Sequence, residues 1–155
     1  MLKRINEKNK KFYHELINNQ VTADIEKYKF FGLVGECQDK TKHQIEFVFQ
    51  RDNIVVGYFA ILVDIRNERV TNFSIVSFEK SRELFVDLFN FTNSLYEIYD
   101  NFEFRIVSDS PAVPIAEKLF RKFNIKKIGT IEKSKKILGE WHDENIYTLN
   151  KRQAP

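Results

Sequence analysis

The run from Ile54 to Ile65 limits the possible folds of this chain more than any other feature. It reads IVVGYFAILVDI and is nearly continuous in β-branched and aromatic residues. A strand with one solvated face would alternate apolar and polar positions, whereas a strand buried on both faces has no such alternation. The run therefore predicts a central strand that is covered on both faces of a sheet.

Further strand patterns flank this run. Gln44 to Gln50 alternates isoleucine and phenylalanine on one face, and Lys29 to Glu36 has strand composition. After the polar turn Arg66–Glu68, the segment Val70–Phe78 is expected to return antiparallel to the central strand. These segments predict a mostly antiparallel group of strands in the first half of the chain.

Patterns with helical spacing lie before the strand segments and after them. Ile5 to Asn19 has apolar residues at helical steps, and Val21 to Lys29 either extends that helix or forms a second short one. From Ser81 to about Asp100 the apolar residues recur every three or four positions, which predicts a long helix. Ser110-Pro111 has the form of an N-cap followed by proline, and predicts a helix that continues through Phe123.

The order of the elements predicts where a ligand would bind. Phe102–Ser108 is a strand pattern, and a strand–helix–strand crossover places it parallel to Val70–Phe78 in the same sheet. Open α/β sheets commonly hold ligands where adjacent parallel strands end, here between Ser77–Ser81 and Ser108–Pro111. Ile125–Glu132 and His142–Leu149 close the chain as a hairpin. The expected class is α/β (α+β), with a mixed, mostly antiparallel sheet flanked by helices.

Composition excludes several other classes. Twenty-five basic and 22 acidic residues give a net charge of only +3, so we expect no nucleic-acid partner, and the lysines of Lys126–Lys136 are interpreted as a solvated hairpin face. The single cysteine, Cys37, excludes an internal disulfide and is interpreted as a small buried hydrophobe rather than a catalytic thiol. No apolar run reaches the roughly 18 to 20 residues of a spanning helix. We expect one cytoplasmic domain over residues 1–155 without a membrane partner.

The C-terminal run from Leu119 to Leu149, LFRKFNIKKIGTIEKSKKILGEWHDENIYTL, resembles the ending of GNAT-superfamily acyl-CoA N-acyltransferases. Ile54 to Phe59 is similar to the strand of that family that carries a Val-Gly pair, and the likeness extends from Gln44 to Leu149. The alternative is another antiparallel α/β domain that shares only the hairpin. The resemblance implies direct acetyl transfer from acetyl-CoA, without a metal, to a primary amine of a small molecule or a peptide N-terminus.

The resemblance also implies a set of cofactor-binding residues. These residues lie at or just after the ends of the two parallel strands. They are Ile75, Val76, Ser77, Lys80, Ser81, Arg82, Ser108 and Ser110. In the family a glycine-rich loop lets the backbone approach the pyrophosphate, because glycine has no Cβ. This chain has no glycine from Glu79 to Leu84, so Lys80 and Arg82 would supply charge instead. A solvated helix start is the alternative for these two residues.

Two residues are candidates for catalysis. Asn72 stands where the family usually has a carboxylate, and Ser110 would orient the thioester or act only as a helix N-cap. The position of the family's tyrosine acid falls on Phe120 or Ala116, depending on the register, so neither alignment gives a phenol. His142 with the neighbouring Asp143 is either an acid/base pair or part of the hairpin structure.

Three missing motif residues leave a second function open. Without the loop glycines, the tyrosine and the carboxylate, the chain would be a catalytically inactive domain of the same fold that binds a ligand or a partner. Aromatic residues of the long helix would then form a homodimer face or, as their helical spacing favours, pack in the core. They are Phe85, Phe89, Phe91, Tyr96 and Tyr99. His14 and His43 lie far apart on charged segments and give no metal-ligand spacing.

Overall fold

A computed structural model describes residues 1–28, 35 and 37–153 of the chain. The predicted strand Lys29–Glu36 therefore lies outside the described residues, except for residue 35. The elements in chain order are β1 (Leu2–Arg4), α1 (Lys10–Ala23), α2 (Ile25–Tyr28), β2 (Lys42–Arg51), β3 (Ile54–Asp64), β4 (Arg69–Ser77), α3 (Arg82–Ile98), β5 (Asn101–Val107), α4 (Val113–Lys122), β6 (Lys126–Ile137) and β7 (Glu140–Asn150), followed by a 3-10 turn at Lys151–Gln153.

The strands form one seven-stranded sheet in the order β1-β2-β3-β4-β5-β7-β6. Every neighbouring pair is antiparallel except β4 and β5, which the helix α3 connects as a parallel crossover. The predicted fold class and the crossover are confirmed. The central position of β3 is confirmed as well, because its residues are buried on both faces.

Two apolar layers cover the sheet. On one face, α3 and α4 pack on a large aromatic cluster that includes Phe59, Phe102 and Phe104. On the other face, α1 packs on a smaller cluster around Tyr58 and Val76. A fully buried side chain of this size contributes roughly 1.5–3 kcal/mol through removal of its apolar surface from water. The sheet is therefore held between α3 and α4 on one side and α1 on the other.

The N-terminus differs from its predicted structure. The helix expected from Ile5 begins only at Lys10, because Leu2–Arg4 pairs with β2 as a short edge strand. Asn6 and Asn9 side chains then accept backbone hydrogen bonds in the connecting turn. Both alternatives for Val21–Lys29 are found in part, because α1 continues to Ala23 and the short helix α2 follows after Asp24, which leaves helical geometry with φ of −151°.

The start of α4 also differs from its prediction. Ser81 caps α3 as expected, but the N-cap of α4 is Ala112, which has no side-chain cap. Ser110 instead forms a turn before the helix, where its Oγ accepts a hydrogen bond from the Ala112 amide at 3.1 Å. Its carbonyl accepts one from the Val113 amide at 3.1 Å. The helix therefore begins three residues after Ser110, at Val113.

Candidate active site

The sheet opens into a split between β4 and β5. The two strands pair only from Arg69–Thr71 to Asn101–Glu103. Beyond that point β4 stays with β3 as far as Ser77, and β5 stays with β7 as far as Val107. The backbone groups of β4 and β5 that face each other past Thr71 and Glu103 have no ladder partner across the split, and are available to a ligand.

A β-bulge at Asn72 marks the closed end of this split. Leu62 of β3 pairs with Thr71 and Ala60 pairs with Ser74, so β4 carries one extra residue over this stretch. Asn72 has φ of 54°, a left-handed conformation that asparagine tolerates better than most residues. Bulges bend a strand and increase its twist. The extra residue thus turns β4 away from β5 where their pairing ends.

Aromatic packing closes one side of the split. The Phe73 ring lies 5.4 Å from the Phe104 ring and 5.1 Å from the Phe120 ring, and Phe104 stacks on Phe120 at 5.1 Å. These rings lie on the side of α3 and α4. Phe120 is only 1% exposed. A molecule that enters the split must therefore approach from the opposite side, which we call the α1 side of the split.

Alternation along the strands identifies the residues of the α1 side. Phe102, Phe104 and Ile106 pack under α3 and α4, so the intervening residues of β5 point to the other face. Val76 of β4 packs against α1, and Ser74 shares its face. On this face the split is thus flanked by Ser74 and the buried Val76 of β4 and by Glu103, Arg105 and the buried Val107 of β5.

The start of α3 lies beyond the open end of β4. The Ser81 hydroxyl accepts a hydrogen bond from the Leu84 amide at 3.1 Å, and Ser77 donates to the Glu79 carbonyl. Arg51, at the end of β2, contacts the carboxylates that flank the helix start, those of Glu79 at 2.5 Å and Glu83 at 3.7 Å. Two acidic groups that would repel an anion are thus paired with a guanidinium.

The predicted cofactor residues fall into two groups. Ile75 and Val76 are buried in the two opposite apolar layers, so only their backbone can face the split. Lys80 is exposed and Arg82 is the first residue of α3. Ser77, Lys80, Ser81 and Arg82 lie at the open end of β4, whereas Ser108 and Ser110 follow β5. The amide of Ser108 donates to the Asp143 carbonyl at 2.8 Å, which extends the pairing of β5 with β7.

The histidine of the Trp-His-Asp segment has a partner that sequence reasoning missed. His142 Nδ1 lies 3.1 Å from both carboxylate oxygens of Asp109. Asp143 accepts instead from the Lys133 amide at 2.9 Å, in the hairpin. The register that pairs Val107 with Glu144 continues by two residues and places Asp109 opposite His142. This register was the missing information, because no local motif joins the two residues.

A buried polar cluster lies between α1 and the sheet. Glu46 of β2 accepts from the Tyr58 hydroxyl at 2.6 Å and contacts His14 Nε2 of α1 at 2.9 Å. Burial and the neighbouring Glu46 carboxylate raise the pKa of Tyr58 far above its usual value. The cluster holds α1 on β2 and β3. Sequence analysis noted His14 only as a poor metal ligand.

A second buried tyrosine lies beneath α4. The Tyr147 hydroxyl donates to Glu117 at 3.0 Å and accepts from the Asn145 side chain at 3.1 Å. Burial raises the pKa of Tyr147 to about 12. An adjacent cavity of about 330 Å³ has Arg121, Lys126 and Glu117 in its wall. The Phe120 ring, which stacks on Phe104, lies 5.1 Å from the Tyr147 ring. Phe120 therefore lies between β7, which carries Tyr147, and the split.

Two kinds of site are not found in the described part of the chain. No group of three or more His, Cys, Asp or Glu residues within it is placed to hold a metal ion. None of its helices is long and apolar enough to cross a membrane. Cys37 is partly buried, and its thiol points toward the Asp39 carbonyl at 3.9 Å.

Solved structures of N-acetyltransferases have the same fold over the full length of the chain. Spermidine N-acetyltransferase from Vibrio cholerae, in complex with CoA and spermine, is 13% identical with a TM-score of 0.68, covering 99% of this chain and 96% of that one. An N-acetyltransferase from Staphylococcus aureus Mu50 is 17% identical with a TM-score of 0.65, covering 97% and 98%. A dodecameric structure of the Vibrio cholerae enzyme is 12% identical with a TM-score of 0.64, covering 99% and 94%. No protein-family model and no curated protein matches the sequence. The chain therefore has the fold of the GNAT-superfamily N-acetyltransferases.

Proposed function

We propose that this protein is an acetyl-CoA-dependent N-acetyltransferase that transfers the acetyl group directly to a primary amine. The observation that carries the proposal is the split between β4 and β5, which opens at the Asn72 bulge in a chain that follows the N-acetyltransferase fold throughout. One of the structural neighbours was solved with CoA. Acetyl-CoA would supply the activated acyl group, and the remaining tasks fall to the chain's own residues.

The backbone of β4 is suited to holding a thioester. Past Thr71 the edge of β4 that faces β5 has lost its ladder partner, so its N–H and C=O groups point into the split. Such donors can pair with the amides of a pantetheine arm and polarise a thioester carbonyl, and fixed donors of this kind need no reorganisation during reaction. Positioning of the two reactants supplies the rest of the rate enhancement. In this proposal Ile75, Val76 and Ser77 act through their backbone.

The start of α3 is the proposed contact for the pyrophosphate. Backbone N–H groups at a helix N-terminus favour an anion, and Lys80 and Arg82 add positive charge there. The glycine loop of the family is absent, but Arg51 pairs with both Glu79 and Glu83 and thus reduces their repulsion. The arrangement fits a pyrophosphate held by side-chain charge and helix-terminal amides. Ser108 and Ser110 are proposed to line the site on the opposite side, at the end of β5.

The proposed mechanism uses few side chains. Asn72 is exposed at the bulge, where its amide can orient an amine but cannot take up its proton. Ser110 would orient the thioester with its hydroxyl hydrogen, while its oxygen accepts from Ala112. Phe120 offers no proton donor to the departing thiolate, whose low basicity makes an acid less necessary. We therefore expect the acceptor to react as the free base, so that kcat/KM rises with pH.

Calorimetric titration with CoA and acetyl-CoA tests the proposal first, followed by assay of thiol release with a panel of primary amines. We expect binding in the micromolar range and transfer to at least one amine. Replacement of Lys80 and Arg82 together by alanine should weaken CoA binding. The matched control replaces Arg121 and Lys122, which are exposed at the end of α4, and should leave it unchanged. Lack of binding at millimolar CoA would remove the basis of the proposal.

The alternative is an inactive domain of the same fold that binds a ligand or a partner protein. Buried Phe120 and Ala116, on one of which the family's tyrosine position falls, and the amide at Asn72 favour it. CoA binding without transfer to any amine would support this alternative. One structural neighbour is described as dodecameric, and sedimentation of the same preparation tests whether this chain forms the homodimer that its sequence left open. The aromatic residues of α3 do pack against the core, as expected from their spacing.

A further inference from the structure

One cation on the α1 side of the split, Arg105, has no polar partner among the residues that the structure describes. Arg105 lies on β5, two residues past Glu103, where the pairing with β4 ends. Two residues of extended strand span about 7 Å, so Arg105 lies about 7 Å past the last paired residue of β5, inside the split. Its side chain is exposed and makes no hydrogen bond, ion pair or ring contact with a described residue. The guanidinium is therefore available beside the place where an acceptor amine must arrive.

The carboxylates on the same side already have partners. Glu103 lies 3.9 Å from Arg69 Nη1, and Glu144 accepts from the Ser134 hydroxyl at 2.5 Å. Asp109 contacts His142 at 3.1 Å. Asn72, which is exposed at the bulge, is uncharged. Each of these carboxylates is thus held by another side chain, and none of them contacts Arg105.

We propose that the acceptor is a primary amine that carries a carboxylate, and that Arg105 binds this carboxylate. The inference rests on the proposed acetyl transfer. A guanidinium forms two parallel charge-assisted hydrogen bonds to a carboxylate, and an ammonium cannot reproduce that geometry. An α-amino acid has its amine and its carboxylate on the same carbon, so a carboxylate bound by Arg105 would hold the amine in the split. A polyamine would instead bring further positive charge against an unpaired guanidinium.

The test compares acceptors that differ only in the carboxylate. Three amino acids are used, one with a small, one with an aliphatic and one with an aromatic side chain. Each is assayed with acetyl-CoA and compared with its amide and with the amine that results from its decarboxylation. O-phosphoethanolamine and spermidine complete the panel. We expect kcat/KM to be at least tenfold higher for an amino acid than for its amide, mainly through KM. The affinity of each compound for the protein–CoA complex is measured in parallel. The preference for carboxylated amines can then be determined even where turnover is slow.

Substitutions at Arg105 separate a binding role from general electrostatics. Arg105→Gln should remove the preference for the amino acid and leave the values for the amide unchanged. Arg105→Lys should restore part of the preference, because lysine retains the charge and loses the fork. Arg121→Gln makes the same change of charge on α4 and should preserve the full preference. Arg105 variants that retain the wild-type preference would overturn the inference.

The outcomes distinguish this inference from the proposed function. Failure of the wild-type protein to bind acetyl-CoA refutes the acetyltransferase proposal itself, and with it the basis of this inference. Binding and transfer without preference for carboxylated amines, or with preference for spermidine, refute only the assignment of the acceptor. Preference for O-phosphoethanolamine over every amino acid also refutes it, since the anion bound would be a phosphate. A tenfold preference that depends on Arg105 supports it.

Discussion

Serine hydroxyls on both sides of the open end of the split already have backbone partners. Ser81 accepts from the Leu84 amide, and Ser110 accepts from the Ala112 amide. A hydroxyl oxygen that accepts one hydrogen bond still has its proton to donate. The local roles of these residues in a helix cap and a turn are therefore compatible with contact to a cofactor. The cap and the turn both contribute to stability. A substitution must therefore be designed to separate this structural role from contact with the cofactor.

Replacement of Ser81 separates the two roles. Ser81→Ala removes the cap and should lower the free energy of unfolding by about 1 kcal/mol. Ser81→Asp keeps an N-cap acceptor, so stability should be retained, whereas its negative charge should weaken CoA binding. Chemical denaturation and calorimetry measure the two effects. Ser94→Ala removes a hydroxyl that bonds only the Asn90 carbonyl within α3, and should change neither result by a comparable amount.

The decisive outcome is the affinity of the aspartate variant. If Ser81→Asp binds CoA as tightly as the unsubstituted protein, the pyrophosphate does not lie at the start of α3. The cofactor site predicted at Lys80, Ser81 and Arg82 would then be wrong, although the cap would remain.

The packing of β3 against α3 depends on a glycine. A Cβ added to Gly57 would lie 3.2 Å from Leu84 Cδ2 and 3.2 Å from the Val76 carbonyl. Leu84 is 2% exposed, so its side chain has little room to move. The contact with a backbone oxygen cannot be relieved by a rotamer change. A glycine in this strand therefore permits close approach of its neighbours.

Gly57→Ala should lower the free energy of unfolding by about 1–3 kcal/mol, because it overpacks the layer between β3 and α3. Gly129→Ala is the matched control, since a Cβ at Gly129 would have no atom within 4 Å. We expect the control to unfold at the same denaturant concentration as the unsubstituted chain or a higher one. Equal stability of the two variants would show that the layer yields more easily than the distances indicate.

Local patterns predicted most elements of the fold. The run from Ile54, the period change at Ser81 and the hairpin around Gly139 each identify an element within one or a few residues of its observed bounds, although β6 continues to Ile137. β1 was missed because three residues carry too short a pattern. The start of α1 was misplaced because Ile5, which fits the helical spacing, is buried in the turn before that helix.

The candidate site was predicted less completely, because it depends on register between distant strands. The edge between β4 and β5 follows from the order of elements, but the bulge at Asn72 that opens it does not. Neither the pairing of His142 with Asp109 nor the position of Arg105 on the α1 side follows from spacing alone. Both depend on how β5 aligns with β7 and β4. The cofactor and catalytic roles of the predicted residues remain predictions.

Across the whole molecule, the sheet consists of two halves that are joined by a short parallel contact. One half is β1 to β4 and the other is β5, β7 and β6. The halves share three pairs of residues, from Arg69 and Asn101 to Thr71 and Glu103. Aromatic packing under α3 and α4 and the ion pair between Arg69 and Glu103 also join the halves. Amides that face the split depend on solvent for hydrogen bonding, whereas those on the far edge of β4 are paired with β3.

Hydrogen exchange measured by NMR should detect this difference and its response to CoA. In the free protein, those amides of residues 73–77 that point toward β5 should exchange faster than those that point toward β3, because unpaired amides open without loss of a ladder bond. Saturating CoA should slow the first group by an order of magnitude or more, because the proposed pantetheine contacts would pair them. Amides between β6 and β7 serve as the internal control, since 12- and 11-residue strands pair there away from the split. Calorimetric binding of CoA without slower exchange along β4 would place the cofactor elsewhere on the molecule.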